Sequence, residues 1–237
     1  MTCYGCGYIS DLRSIWEGFD FTYIISILIS LVPALLCITL HELAHGFVAY
    51  KLGDNTAKSR GRLTLNPIKH LDVMGLLMML IFHVGWAKPV PVNMHNFRNP
   101  KRGMALTALA GPLSNLLIAF AFMLLYGLLY IPLGKSLVGA YVLMALELTA
   151  ELSIGLAVFN LIPFPPLDGS KVLFSLMSDE KYYKLMCYER YAALVLFALM
   201  YFDVLDRPIA LARYGIMQFL TPVAQAACDT VFNLFYK

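Results

Sequence analysis

Hydrophobic positions in this chain come in long unbroken blocks rather than the alternation of a half-buried strand. Residues 21–40 carry no charge, and neither do residues 103–134. Each block reaches the roughly 20 residues that a membrane-crossing helix needs. The first predicts a helix over 21–52, with a bend at Pro33. At 1.5 Å per residue it would be about 48 Å long, more than the hydrocarbon layer, so it must tilt or emerge. Charge resumes there at Glu42 and Lys51. A short apolar run, 73–82, follows between two basic stretches, 53–70 and 88–102. Nine of the eighteen Lys and Arg residues fall between Lys51 and Arg102. A crossing at 71–84 would put its two basic flanks on opposite sides, which the positive-inside rule disfavours. Residues 53–102 therefore read as one cytoplasmic-side excursion with a re-entrant or interfacial segment in it. Within it, residues 85–93 read as extended, because Pro89 and Pro91 bias the residues before them away from helix.

Helices over 103–132 and 138–164 would go out and come back. Residues 168–190 form a further cytoplasmic loop, 190–205 are a candidate span, and 208–236 either span or lie in the interface. The expected fold is an all-α polytopic membrane protein. It has four to six transmembrane helices and a re-entrant or extended segment between the first two long spans. Residues 1–237 read as one domain, with its core at 21–175 and C-terminal helices in 190–236.

Composition sharpens this. The chain is 59% hydrophobic and 14% charged, with a mean hydropathy of +0.69. Soluble domains carry about 45–50% apolar and about 25% charged residues. That excludes a secreted disulfide scaffold, a nucleic-acid module and an ordinary cytosolic enzyme. The net charge of +3 does not call for a nucleic-acid partner. Cys37, Cys187 and Cys228 are isolated, and Cys3 and Cys6 form a lone CxxC without a second pair.

The chemistry concentrates in His41-Glu42-Leu43-Ala44-His45, at the cytoplasmic end of the first helix. Histidines at i and i+4 share a helix face and can bind one zinc ion, with the glutamate placed to take a proton from water. A hydrolytic zinc site needs a third protein ligand and an open position. The HExxHxxGxxH continuation is absent, because Lys51 and Leu52 stand where its last histidine would be. Asp168 fits the third place best. It ends Asn160-Leu-Ile-Pro-Phe-Pro-Pro-Leu-Asp-Gly169, whose prolines break a helix near the cytoplasmic interface. Broken backbone at that depth is tolerated where it is buried in protein or lines a wet cavity.

Glu147 and Glu151, i and i+4 on the returning helix, compete for the ligand role but lie towards the other face. His70, His83 and His95 read as satisfied or solvated singletons. In Gly111-Pro112-Leu113-Ser114-Asn115 small and polar groups serve helix packing or the site. Asn160 is either structural or a donor to the oxyanion of a tetrahedral intermediate. Two other readings of the same residues are an ion- or metal-binding transporter and a catalytically inactive scaffold.

These motifs resemble the site-2 protease family of intramembrane zinc metalloproteases. The resemblance runs from about residue 36 to 175 and rests on HELAHG (41–46), GRLTLNPIKHLD (61–72), GWAKPVPVN (85–93), GPLSN (111–115) and NLIPFPPLDG (160–169). It implies one zinc per chain held by His41, His45 and Asp168, Glu42 as catalytic base, and Asn160 polarising the scissile carbonyl. It also implies a transmembrane protein or peptide as substrate, cleaved within the lipid bilayer, with the site towards the cytoplasmic side of the cell membrane. An adaptor protein presenting the substrate is compatible with this reading, and the sequence does not name one. The chain resembles the compact branch without PDZ or CBS modules.

Overall fold

The computed structural model describes residues 21–72, 74–75 and 87–236. Its elements are α1 (Phe21–Lys51), α2 (Thr56–Ser59), two 3₁₀ turns (Pro67–His70 and Met94–Asn96), α3 (Pro100–Leu133), α4 (Leu137–Leu161), α5 (Asp168–Ser175), α6 (Asp179–Cys187), α7 (Glu189–Tyr201) and α8 (Asp206–Tyr236). Among the described residues there is no strand, only an isolated antiparallel bridge between Leu71 and Ala87. The fold is thus all-helical, as the hydrophobic blocks predict.

Among the described residues, three helices are long and apolar enough to cross a membrane: α1 from Ile29 to Lys51, α3 and α4. Helix α7, at 13 residues, is about 20 Å long and falls short of the hydrocarbon thickness. Helix α8 has the length, with 31 residues, but polar interruptions such as Arg213, Gln218 and Asp229 keep it out of that group. Neither Pro33 in α1 nor Pro112 in α3 ends its helix. A proline removes one backbone bond, and neighbouring helices in a bundle make that tolerable. Most of the 73–82 run, with its expected re-entrant segment, lies outside the described residues, as do Cys3, Cys6, His83, Gly85 and Trp86.

Local signals set the helix ends. Asn99 caps α3 by accepting from the Arg102 amide, with Pro100 in the first turn. Ser136 caps α4 in the same way through the Gly139 amide, and the three-residue turn before α4 makes α3 and α4 antiparallel neighbours. Helix α3 is the hub, packed against α1, α4, α5 and α8. Its core contacts join Ala119 and Met123 to Ala150, Ile154 and Val158 of α4 and to Leu220 and Ala224 of α8. A Cβ on Gly127 would sit 2.1 Å from the Ala224 carbonyl oxygen, so α3 and α8 cross with their backbones in contact. On the outside, Val32, Leu117, Leu137 and Val138 are each at least 70% exposed, as lipid-facing positions are.

The excursion after α1 is tied back onto itself. Asp54 is fully buried and accepts hydrogen bonds from the Asn93 amide (2.7 Å), Asn96 Nδ2 (2.7 Å) and the Thr56 amide (3.0 Å). Burial acts to raise its pKa, but these bonds and the Thr56 hydroxyl outweigh it and hold the carboxyl below its ordinary value. Arg62 Nη2 donates to the carbonyls of Lys88 (2.6 Å) and Pro89 (3.2 Å), and the Lys88 amide donates to the His70 carbonyl. Residues 87–93 are thereby held, without helix, alongside α1.

Candidate metal centre

Helix α1 presents His41 and His45 one turn apart on the face that packs against α3. Asp168 arrives from the opposite end of the chain as the first residue of α5, after the proline-rich break that ends α4. Its position is enforced by Gly169, where a Cβ would lie 2.3 Å from the Leu161 carbonyl oxygen. All three side chains are buried. Nε2 of His41 lies 3.0 Å from Nε2 of His45, and Oδ2 of Asp168 lies 3.3 Å and 3.1 Å from these two nitrogens.

This triangle fits a metal. A tetrahedral zinc with bonds of about 2.0–2.2 Å separates its ligands by about 3.3–3.5 Å. The observed edges are slightly tighter, and two imidazoles with one carboxylate form a donor set suited to zinc with one position left open. The groups behind the ligands fit as well. His45 Nδ1–H donates to the Thr107 carbonyl of α3 at 2.7 Å, which leaves the Nε2 lone pair facing the triangle. His41 Nδ1 lies 3.1 Å from the side-chain amide nitrogen of Asn115, whose amide oxygen is buried without a partner. Turning that amide by half a revolution brings its oxygen onto Nδ1–H and gives His41 the same tautomer.

Asp168 carries its negative charge firmly. Burial works against ionisation, but in the metal-free site the imidazoles of His41 and His45 facing it and the nearby Lys171 ammonium hold its carboxyl well below the usual carboxylate range. Its second oxygen, Oδ1, lies 3.6 Å from Lys171 Nζ.

Above the triangle α3 offers no side chain. A Cβ on Gly111 would fall 2.4 Å from His45 Nε2 and 2.6 Å from His41 Cε1. Gly111 therefore supplies the space in which the imidazoles meet. Glu42 sits beside the pair, half-buried, with Oε2 accepting a hydrogen bond from the Val90 amide at 2.9 Å. The extended segment is thus already engaged: its Val90 amide holds Glu42 and its Lys88 amide holds the His70 carbonyl. Asn160 is partly buried and turned back along α4, donating from Nδ2 to the Leu156 carbonyl at 2.9 Å.

The other candidates lie elsewhere. His70 is buried and donates to the Thr64 carbonyl, and His95 is exposed. Glu147 and Glu151 are exposed on α4, about 15 Å and 21 Å from its N-terminal end. Glu151 lines a cleft of about 260 Å³ with Arg213 of α8, and no member of the His–Asp triangle borders it. Reading the sequence alone misses Asp54, Arg62, Lys171 and the backbone groups of Thr107 and Val90. Only Lys171 left a trace, its spacing of i+3 from Asp168.

Comparison with known proteins gives the family. The family model for peptidase family M50 matches residues 125–202, a stretch with Asp168 but without the histidine pair. The candidate zinc metalloprotease YwhC of Bacillus subtilis is 37% identical over 86% of this chain and 89% of its own length. Rip2 of Mycobacterium tuberculosis, also named as a candidate zinc metalloprotease, is 35% identical over 59% of this chain and 53% of its own. MJ0611 of Methanocaldococcus jannaschii, named likewise, is 32% identical over 66% of this chain and 76% of its own. No solved structure matches. The chain belongs to peptidase family M50, the site-2 protease family. It is a multi-pass membrane protein and a zinc metalloprotease.

Proposed function

We propose that this protein hydrolyses peptide bonds within or near the transmembrane segments of membrane-protein substrates, at a zinc site facing the cytoplasmic side of the cell membrane. The observation that carries this is the buried His41–His45–Asp168 triangle, with Glu42 beside it and three apolar helices around it. Zinc, when bound there, supplies Lewis-acid chemistry, lowering the pKa of water and polarising a carbonyl.

His41, His45 and Asp168 are the ligands. Glu42 is the general base: it takes a proton from the attacking water and returns it to the leaving amine. The Val90 amide holds its carboxylate in place. The second N–H of the Asn160 amide donates to the oxyanion of the tetrahedral intermediate. A helical substrate hides its carbonyls in internal hydrogen bonds, so it must unwind to present one.

The test measures zinc per chain in detergent-purified protein and cleavage of a set of single-span substrates. Wild type should hold about one zinc, and Asp168→Ala should lose it. Glu42→Gln should keep zinc and lose about 10²–10⁴-fold in turnover. Full turnover by Glu42→Gln overturns the role of the base, and zinc retained by Asp168→Ala overturns the ligand set.

A further inference from the structure

Each of the three inward-facing groups is gripped by its other end, and the grips differ. The two imidazoles are held from α3, through the Thr107 carbonyl and the Asn115 amide. Asp168 is held from its own helix. Lys171 stands one turn further along α5, with its side chain three-quarters buried and its ammonium 3.6 Å from Oδ1. The carboxylate is therefore used unequally: Oδ2 faces both histidines, and Oδ1 faces the lysine. A carboxylate free at both oxygens can close on a metal through both of them. That would occupy the coordination position a hydrolytic site keeps open for water.

We propose that Lys171 is a positioning residue that keeps Oδ1 away from the metal, so that Asp168 ligates through Oδ2 alone and the fourth position stays open. A lysine suits this task because it is a point charge with three donors and imposes no planar geometry of its own. Its depth makes it effective, since an ion pair shielded from water is little screened. The proposal rests on the zinc reading above.

The experiment loads the detergent-purified full chain with zinc or with cobalt(II), comparing wild type with Lys171→Met, Lys171→Gln and Lys171→Arg. Zinc affinity is read by competition with a chelator. Cobalt coordination is read from its visible absorption, which is intense for four ligands and weak for five or six. Lys171→Met should bind zinc about 10-fold more weakly, as loss of an outer partner of a ligand does, and its cobalt band should weaken as Oδ1 joins the metal. Lys171→Arg should restore both readouts. Lys171→Gln serves where Lys171→Met fails to fold, and helical circular dichroism checks each variant. Wild-type affinity and absorption in Lys171→Met and Lys171→Gln overturn the proposal. So does weaker binding with an unchanged cobalt band, because a merely structural lysine would do that. A wild type that binds no zinc overturns the underlying reading instead, so the two failures are distinguishable.

Discussion

Adding one methyl group at Gly111 tests whether the metal centre is built on the absence of a side chain. The Cβ of Gly111→Ala would lie 2.4 Å from His45 Nε2, 2.5 Å from its Cε1 and 2.6 Å from His41 Cε1. Ordinary van der Waals contact begins near 3.4 Å. One or both rings must therefore retreat by about 1 Å, whereas metal–ligand distances tolerate only about 0.2 Å. The same substitution removes a glycine from the interior of α3, which by helix propensity favours the helix by about 1 kcal/mol. The two effects have opposite signs and different addresses. Helix content of the metal-free protein should hold, and its thermal stability should change by no more than about 1–2 kcal/mol, as crowding and propensity offset each other, while zinc affinity should fall by at least 10-fold. Gly155→Ala is the control. Its nearest neighbour is 3.7 Å away, on the Arg213 side chain, and its zinc affinity should match wild type. The assay is zinc competition against a chelator, alongside thermal unfolding in the same detergent. Gly111→Ala with wild-type affinity and unaltered folding would refute the idea that this glycine makes room for the imidazoles.

Gly169→Ala should also weaken zinc binding, by displacing the start of α5 from the Leu161 carbonyl and carrying Asp168 with it; zinc per chain equal to wild type contradicts this. Asp54→Ala leaves the Asn93 and Thr56 amides and the Asn96 side chain without their acceptor. It should cost roughly 2–4 kcal/mol in local stability, seen as faster hydrogen exchange at Asn93 and Asn96. Because the Asp54 pKa is lowered by folding, its contribution is complete above the ordinary carboxylate value, near 3.9, and disappears as pH falls through the lower folded value. Exchange at Asn93 should thus be steady from pH 7 to 5 apart from its intrinsic rate, and protection should fall only below that range. Early loss of protection near pH 6 would mean that another group controls the clasp.

Where side-chain type carries the information, the sequence was readable. An i, i+4 histidine pair can face one metal only on a helix, and α1 is that helix. Three prolines before Asp168 announced a broken end to α4, and the structure brings Asp168 to within 3.3 Å of both histidines. The charge-free blocks located α1 and α3, and the apolar run 138–164 located α4, to within a few residues. Backbone groups escaped because every residue has them. Nothing in Thr107 or Val90 says that its carbonyl meets His45 or its amide meets Glu42. Gly111 was legible as a small residue, but the identity of what it clears depends on how α3 packs on α1. Asp54 carried no signal in the sequence, since two of its partners stand 39 and 42 residues further along. The 190–205 run gave an apolar helix too short to cross, because Tyr201 ends it.

The triangle draws its corners from distant points in the chain, and this sets a timetable for the newly made protein. Ribosomes deliver about 5–20 residues per second, so His41 and His45 enter the membrane several seconds or more before Asp168 exists. Two turns of α3 containing Thr107 and Asn115 arrive in between, and orient the rings ahead of their last partner. Until α4 has crossed and turned, the nascent chain holds a histidine pair without the carboxylate that completes it. On the proposed ligand set, hydrolytic competence is thus withheld during insertion, when unfolded segments of the chain itself are the nearest peptide bonds.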